Sequence, residues 1–309
     1  MNGVGRRVLV SSIQAAKCGG VISSTKAMSS FVDSYKFETL AVSSPKTNVL
    51  HIEFNRPEKM NTMTAGMWKE MVECFNKASM DENVRSIVLS GRGKLYTAGL
   101  DLVEAASSLA PSGNDVAREA FRMYKFIGLA QESCSAIEKC MKPVITAVHN
   151  GCLGGGMDVI SACDIRLCDK DAYFSVKEVD VGLAADMGSL QRLPKILGND
   201  SLIRDLCFTG RKMKSDEAKS CGLVSTVYED KEKMMEGAFE LAELIATKSP
   251  VAIQSIKVSL NYGRNHSVNS GLEHIRSWNA AMLQTEDIMK SAQALMMKKT
   301  PADVKYSKL

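Results

Sequence analysis

The sequence predicts an α/β domain followed by a helical C-terminal region. Short apolar strand patterns alternate with amphipathic helix patterns up to about residue 230, and the order strand, strand, helix, strand recurs along this stretch. After that point, helical patterns dominate. With 309 residues, of which 45% are hydrophobic and 24% charged, the chain can bury a sizeable core.

Both ends of the chain resemble targeting signals. Residues 1–32 contain four basic residues, many serines and alanines, and no acidic residue, which is typical of a mitochondrial transit peptide. The final Ser307-Lys308-Leu309 matches the tripeptide that a peroxisomal import receptor binds at a free C-terminus, although a chance match is the alternative. We therefore expect a location in the peroxisome, the mitochondrion or both.

The first half of the core begins with two strand patterns, at 39–42 and Val49–Phe54, which are separated by a predicted hairpin turn at 43–46. Thr64 is a candidate N-cap for the helix that follows, because the apolar residues after it keep helical spacing. The run at 86–89 then predicts a buried strand.

A long helix is predicted at 116–139, and Pro143 marks the loop after it. The strand Val144–Val148 is followed by a glycine run at 154–156, which opens a short helix before a strand at 165–168. Further helices are predicted at 190–197, 202–208, 231–247, 250–261 and 270–298, and a short strand is predicted to begin at 222–224.

Composition argues against several classes of protein. The net charge of +4 comes from 39 basic and 35 acidic residues, a near balance that does not indicate nucleic-acid binding. No apolar run approaches the roughly 18 residues needed to span a bilayer, so we expect no membrane span. The nine cysteines form no CxxC pair or familiar zinc spacing, so we expect no metal site.

Two glycine-containing segments are candidate sources of paired backbone donors. The glycine run lies between a strand and a helix start, and the segment 97–101 forms a predicted tight turn after the strand at 86–89. If the two segments face each other, the N–H groups of Leu100 and Gly155 converge on one oxygen as an oxyanion hole. Ordinary strand-to-helix connections are the alternative, and the run fits neither the P-loop nor the dinucleotide fingerprint.

Three acidic residues follow the glycine run. Asp158 lies in the predicted first helical turn, while Glu178 and Asp186 flank an apolar, glycine-containing segment. Carboxylates among apolar neighbours lose hydration, which raises their pKa toward values useful for proton transfer. The alternatives are a helix-dipole role for Asp158 and a surface pair for the other two. Together, the donors and acids suit chemistry on a carbonyl compound that becomes an enolate.

The segments HNGCLGGGMDVISACDIR and FSVKEVDVGLAADMGSLQRLPK resemble the crotonase, or enoyl-CoA hydratase/isomerase, superfamily, and within it they are most similar to 3,5-to-2,4-dienoyl-CoA isomerases. The resemblance extends from about Tyr35 to the C-terminus. It implies a crotonase-like core at 35–230, built as a spiral of repeated ββα units. It also implies a helical region at 231–309 that builds homotrimers, usually paired into hexamers.

The resemblance further implies an acyl-CoA thioester substrate whose carbonyl oxygen lies between the N–H groups of Leu100 and Gly155. CoA would be part of the substrate, with no separate cofactor. The residues implied to contact the CoA portion are Lys59, Met60, Asn61, Thr97, Ala98, Gly99, Leu100 and Asp101.

The acids distinguish the activities within the family. Hydratases resembling this chain have glutamates at the positions of Asp158 and Glu178 and a small residue at Asp186, whereas dienoyl isomerases have aspartate there. The resemblance implies that Glu178 removes the proton at carbon 2, Asp186 returns one at carbon 6, and Asp158 provides charge balance or orientation. The alternatives are a 2-enoyl-CoA hydratase, a 3-to-2-enoyl-CoA isomerase and, more remotely, a non-catalytic acyl-CoA- or RNA-binding oligomer.

Overall fold

A computed structural model describes residues 31–110, 113 and 115–309. The predicted targeting peptide at 1–32 therefore lies almost entirely outside the described residues. Within the described ranges the chain is a mixed α/β structure with a helical C-terminal region, which confirms the predicted fold class. In the same ranges, no helix combines the length and apolar character that crossing a membrane requires.

The main sheet has six strands, which are β1 (Leu40–Lys46), β2 (Val49–Phe54), β3 (Ser86–Gly91), β4 (Val144–Val148), β6 (Ile165–Asp169) and β9 (Thr226–Tyr228). They lie side by side in the order β1-β2-β3-β4-β6-β9. Among the described strand pairs of this sheet, only β1–β2 is antiparallel. A second sheet, ordered β5-β7-β8, contains β5 (Gly151–Leu153), β7 (Tyr173–Ser175) and β8 (Met213–Lys214).

Helices alternate with the strands of these sheets, and after β9 the described part of the chain continues as helices. They are α1 (Ala65–Met80), α2 (Leu102–Leu109), α3 (Val116–Lys139), α4 (Gly155–Ala162), α5 (Ser189–Ile196), α6 (Asp200–Thr209), α7 (Ser215–Ser220), α8 (Lys231–Ala246), α9 (Pro250–Gly263), α10 (Val268–Met282) and α11 (Asp287–Met296). Thr64 caps α1 as predicted, since its side chain accepts a hydrogen bond from the N–H of Met67. The predicted limits of α3 also match the structure.

Three boundary predictions are wrong. The turn predicted at 43–46 is strand, because β1 is an edge strand whose irregular pairing accommodates Pro45, and the turn falls at Thr47 and Asn48 instead. The strand predicted from 222–224 begins only at β9. The helix predicted at 270–298 is interrupted between α10 and α11, where buried Asp287 accepts a hydrogen bond from Ser249 at the start of α9.

Both faces of the main sheet are buried. On β2, Leu50, Ile52 and Phe54 belong to the larger core, which includes side chains of α1 and α3. Val49 belongs to a second cluster with residues of α8 such as Ala242. This alternation follows from the two-residue period of a strand, and each fully buried large side chain contributes about 1.5–3 kcal/mol. The sheet thus supports the segments that follow β3 and β4, which contain residues 97–101 and Asp158.

The C-terminal residues lie against the body of the chain. The Nζ of Lys308 is 3.0 Å from the carboxylate of Glu82, and Lys142 donates a hydrogen bond of 3.2 Å to the carbonyl of Leu309.

Helices α9 to α11 expose many large apolar side chains. Leu260 and Leu295, for example, have 69% and 70% of their surface exposed.

Candidate active site

Gly154 lets the carboxylate of Glu178 come close to the start of α4. It has a φ of 52° at the N-cap of α4, and its N–H donates to the carbonyl of Ser175 at 3.0 Å. A Cβ atom at this position would lie 3.2 Å from the Oε1 of Glu178. Glycine is therefore needed both for the backbone conformation and for the approach of the carboxylate.

The segment 97–101 packs directly against the glycine run. Thr97 exchanges backbone hydrogen bonds of 3.1 Å with Gly151 and Leu153 of β5. A Cβ on Gly156 would lie only 2.5 Å from the Thr97 Cγ2. The two segments that the sequence suggested as donors are thus in contact.

Two backbone N–H groups beside the cavity, those of Leu100 and Gly155, have no acceptor within the described part of the chain. The bridge between Met63 and Leu100 uses the carbonyl of Gly99 and the N–H of Asp101, so the N–H of Leu100 lies on the opposite edge. Gly155 occupies the first position of α4, where backbone N–H groups have no acceptor within the helix. Leu100 and Gly155 line the same cavity.

That cavity has a volume of about 170 Å³ and is largely apolar. One wall contains Trp68 and Phe126, whose rings meet edge to face at 5.3 Å. Three carboxylates share the lining, from Asp158, Glu178 and Asp186. The remaining lining residues are Met63, Leu100, Leu109, Ile127, Ala130, Gly155, Leu183, Ala184 and Met187.

Asp158 is fully buried in the first turn of α4. Its Oδ1 accepts a hydrogen bond of 2.6 Å from the N–H of Ser189, while its Oδ2 has no hydrogen-bond partner among the described residues. Burial raises the pKa of Asp158 to about 6, and the charge of Asp186 acts in the same direction. Hydrogen bonding at Ser189 and the nearby charge of Arg192 oppose this rise.

Glu178 begins a 3₁₀ turn, Glu178–Val181, and its Oε2 has no hydrogen-bond partner within the described part of the chain. Burial, followed by the charge of Asp158, raises the pKa of Glu178 to about 7. Because the two carboxyl groups influence each other, their protons are released in coupled steps. Near neutral pH, Glu178 therefore exists in both the protonated and the ionised forms.

Asp186 is the most exposed of the three acids that line the cavity. Burial of part of the group raises its pKa, which favours the protonated form. Its backbone carbonyl accepts a hydrogen bond of 2.8 Å from the side chain of Gln131 on α3. The carboxyl group is thus attached to a segment held by a helix of the cavity wall.

Other predicted contact residues have structural partners. Asp101 caps α2 and accepts hydrogen bonds of 3.2 Å from Arg56 and 3.1 Å from Thr62. Burial raises its pKa, but hydrogen bonds from the N–H of Glu104 and from these two partners lower it overall. The buried Thr97 hydroxyl donates to the carbonyl of Asn61 at 2.7 Å.

Lys59 and Met60 are exposed, and the N–H of Ala98 donates to the carbonyl of Met60 at 3.0 Å. This bond joins the exposed pair to the segment 97–101.

Sequence reasoning missed Met63, Trp68 and Phe126 as cavity residues, because apolar residues at helical spacing also predict ordinary core packing. Among the described residues, no group of three or more His, Cys, Asp or Glu side chains is arranged to hold a metal ion.

Comparison with known proteins defines the family. The family model described as enoyl-CoA hydratase/isomerase matches residues 44–303, and the chain belongs to this family. The structure is also similar to the crystal structure of an enoyl-CoA hydratase from Bacillus anthracis, with a TM-score of 0.78 and 26% identity, covering 87% of this chain and 99% of that one.

The names of two curated relatives specify a reaction within this family. The chain is 53% identical to the mitochondrial Delta(3,5)-Delta(2,4)-dienoyl-CoA isomerase of Rattus norvegicus, over 90% of this chain and 85% of the relative. It is 39% identical to the peroxisomal Delta(3,5)-Delta(2,4)-dienoyl-CoA isomerase of Arabidopsis thaliana, over 87% of this chain and 98% of the relative.

Proposed function

We propose that this protein isomerises 3,5-dienoyl-CoA to 2,4-dienoyl-CoA in the oxidation of unsaturated fatty acids. The observation that carries the proposal is the presence of three carboxylates in one apolar cavity beside two backbone N–H groups that have no acceptor among the described residues. The dienoyl-CoA isomerases of rat and Arabidopsis support the same reaction.

The thioester oxygen would lie between the N–H groups of Leu100 and Gly155. When the proton at carbon 2 leaves, the electron pair of that C–H bond moves toward the thioester, and negative charge develops on the oxygen. Donors already directed at this position stabilise the dienolate without reorganising, and one such donor is typically worth about 10²–10³ in rate. The positive end of the α4 dipole adds to the effect.

Glu178 would be the base at carbon 2. Glu178 lines the cavity, its Oε2 has no hydrogen-bond partner among the described residues, and a pKa near 7 suits a base that works at neutral pH. The negative charge of the ionised Asp158 beside it favours the protonated form of Glu178, which is the form that results when Glu178 takes the proton from carbon 2. Asp158 therefore adjusts the strength of the base and contacts the segment after Asp186 through Ser189.

Asp186 would be the acid at carbon 6. Its raised pKa favours the protonated form that the step requires. Proton delivery to carbon 6 moves the double bonds from positions 3 and 5 to positions 2 and 4. One turnover therefore transfers a proton to Glu178 and removes one from Asp186. Both groups must exchange protons with solvent before the next turnover.

The remaining assignments concern binding, assembly and location. We propose that the segment 97–101, with Lys59 and Met60, contacts the CoA portion of the substrate, and that no separate cofactor is needed. The exposed apolar surface of α9 to α11 would form homotrimers that pair into hexamers. We also propose a mitochondrial or peroxisomal location, with Ser307–Leu309 contacting an import receptor after release from the body of the chain.

The test compares turnover of 3,5-dienoyl-CoA by the wild type, Asp186→Asn and Glu178→Gln, followed by absorbance. We expect the wild type to form the 2,4-isomer and both variants to lose nearly all activity, with unchanged circular dichroism and assembly size. Near-normal turnover by Asp186→Asn would contradict the assignment of the acid. Hydration of crotonyl-CoA without dienoyl-CoA turnover would identify the protein as a hydratase instead.

A further inference from the structure

A polar stripe on α3 holds the segment that contains Asp186. Gln131, Ser135 and Glu138 are spaced by four and three residues, so they share one face of the helix. These three residues line a polar cavity together with Asp186 and Arg192. The stripe lies beside the residues of α3 that line the apolar cavity.

Two bonds from this region end on successive backbone carbonyls. Gln131 donates to the carbonyl of Asp186 at 2.8 Å, and Arg192 donates to the carbonyl of Met187 at 3.3 Å. Arg192 is itself held by Glu138, whose carboxylate accepts from its Nε at 2.8 Å and also pairs with Arg264. The segment is therefore held directly by α3 through Gln131, and indirectly through Arg192 of α5, which Glu138 of α3 binds.

The attachment matters because residues 183–188 have no regular secondary structure. Helix and sheet bonds do not fix the backbone of Asp186, whereas Glu178 lies in a 3₁₀ turn. Ile127 of the apolar wall lies one helical turn before Gln131, so the same stretch of α3 faces the acyl chain and holds the acid.

We propose that Gln131 is a positioning residue, which sets the distance from the Asp186 carboxyl group to carbon 6 of the bound substrate. This inference rests on the proposed function. Its role is separable from that of Glu178, because its hydrogen bond ends on the backbone of Asp186 and not on the base. Loss of the bond would affect delivery of the proton at carbon 6 but leave its removal at carbon 2.

The test measures both halves of the reaction in D₂O. Proton removal at carbon 2 is followed as deuterium that enters recovered 3,5-dienoyl-CoA, and isomerisation is followed as 2,4-dienoyl-CoA. In Gln131→Met, which keeps the length of the side chain but removes the donor, we expect kcat for isomerisation to fall roughly 10- to 100-fold. Exchange at carbon 2 should continue, so the ratio of exchange to isomerisation should rise.

Gln191→Met is the matched control. Gln191 lines the same polar cavity, and the hydrogen bond that it makes at Gly188 uses its own backbone N–H. We expect this variant to keep the wild-type kcat and the wild-type ratio. KM should remain within about threefold of the wild-type value in both variants, since neither change removes a group proposed to bind CoA.

The outcomes separate this inference from the proposed function. An active wild type with an unchanged ratio in Gln131→Met would overturn the positioning role alone. A parallel fall of exchange and isomerisation would also overturn it, because that result indicates general damage to the site. A wild type that does not convert 3,5-dienoyl-CoA would instead contradict the proposed function.

Discussion

Glu178 costs the folded protein stability when it is ionised. Its pKa is raised from 4.5 to about 7, chiefly by burial. Well below pH 4.5 both the folded and the unfolded states hold the proton, so the group does not change the free energy of unfolding with pH. Between about pH 4.5 and 7 the folded state retains a proton that the unfolded state releases, and the free energy of unfolding therefore falls as the pH rises.

Glu178→Gln should remove this penalty. We expect the variant to be more stable than the wild type by about 1–3 kcal/mol at pH 8, with a much smaller difference at pH 5. Urea unfolding at both values, at one fixed protein concentration, measures the effect. Glu240→Gln on an exposed position of α8 is a charge-matched control. An equal gain at both pH values would show that ionisation is not the cause.

The two elements of the proposed oxyanion hole approach each other closely at one point. The start of α4 touches the segment 97–101 at Gly156, where an added Cβ would lie 2.5 Å from Thr97 and 3.0 Å from the Sγ of Cys152. Such overlap forces the helix and the segment apart. The N–H groups of Leu100 and Gly155 lie on opposite sides of this contact, so their separation would change.

Gly156→Ala should therefore lower kcat by about 10-fold or more and destabilise the fold by about 1–3 kcal/mol. Gly128→Ala is the control, because Gly128 lies within α3 with open space at the Cβ position. Alanine there should be neutral or stabilising by up to about 1 kcal/mol. Dienoyl-CoA turnover and thermal unfolding check both variants, and a fully active Gly156→Ala would show that the contact is unimportant.

At the scale of the whole molecule, α9 to α11 form a groove that isolated chains would leave exposed. Ile256, Leu260 and Leu283 are 54%, 69% and 59% exposed and line it together. An apolar surface of this kind favours contact with another protein surface. The proposed trimer would bury it.

Leu260→Asp should dissociate the assembly, since a charge would then be buried at the contact. Light scattering should give the mass of one 33.6 kDa chain for the variant and a threefold or sixfold multiple for the wild type. Met80→Asp, at the exposed end of α1 outside the groove, should leave the assembly intact. A Leu260→Asp protein of wild-type mass would argue against this surface.

The sequence predicted the long elements well, because they repeat one pattern over many residues. Helix α3 and the capped start of α1 are examples. The strands β5 and β7 have only three residues each, too few for a two-residue alternation to be visible. The break between α10 and α11 lies beside a contact of Asp287 with Ser249, and a partner this distant in sequence leaves no local pattern.

The site was predictable to the extent that its residues are unusual in type. The acids Asp158, Glu178 and Asp186 stand out beside glycines and apolar neighbours. The apolar wall does not, because the positions of Trp68 and Phe126 that face a cavity have the same spacing as positions that face a core. Gln131 was equally hidden, since a single glutamine on a helix has no distinctive sequence pattern.

The apolar wall of the cavity also bears on which reaction the proposed site would favour. The ring faces of Trp68 and Phe126 offer a water molecule no polar partner, and an ordered water usually needs two to four of them, so a water here would have to bind the same carboxylates that the proposed reaction uses. A bound acyl chain would compete with water for this space. We therefore expect the apolar lining, together with the acids, to favour double-bond migration over the addition of water.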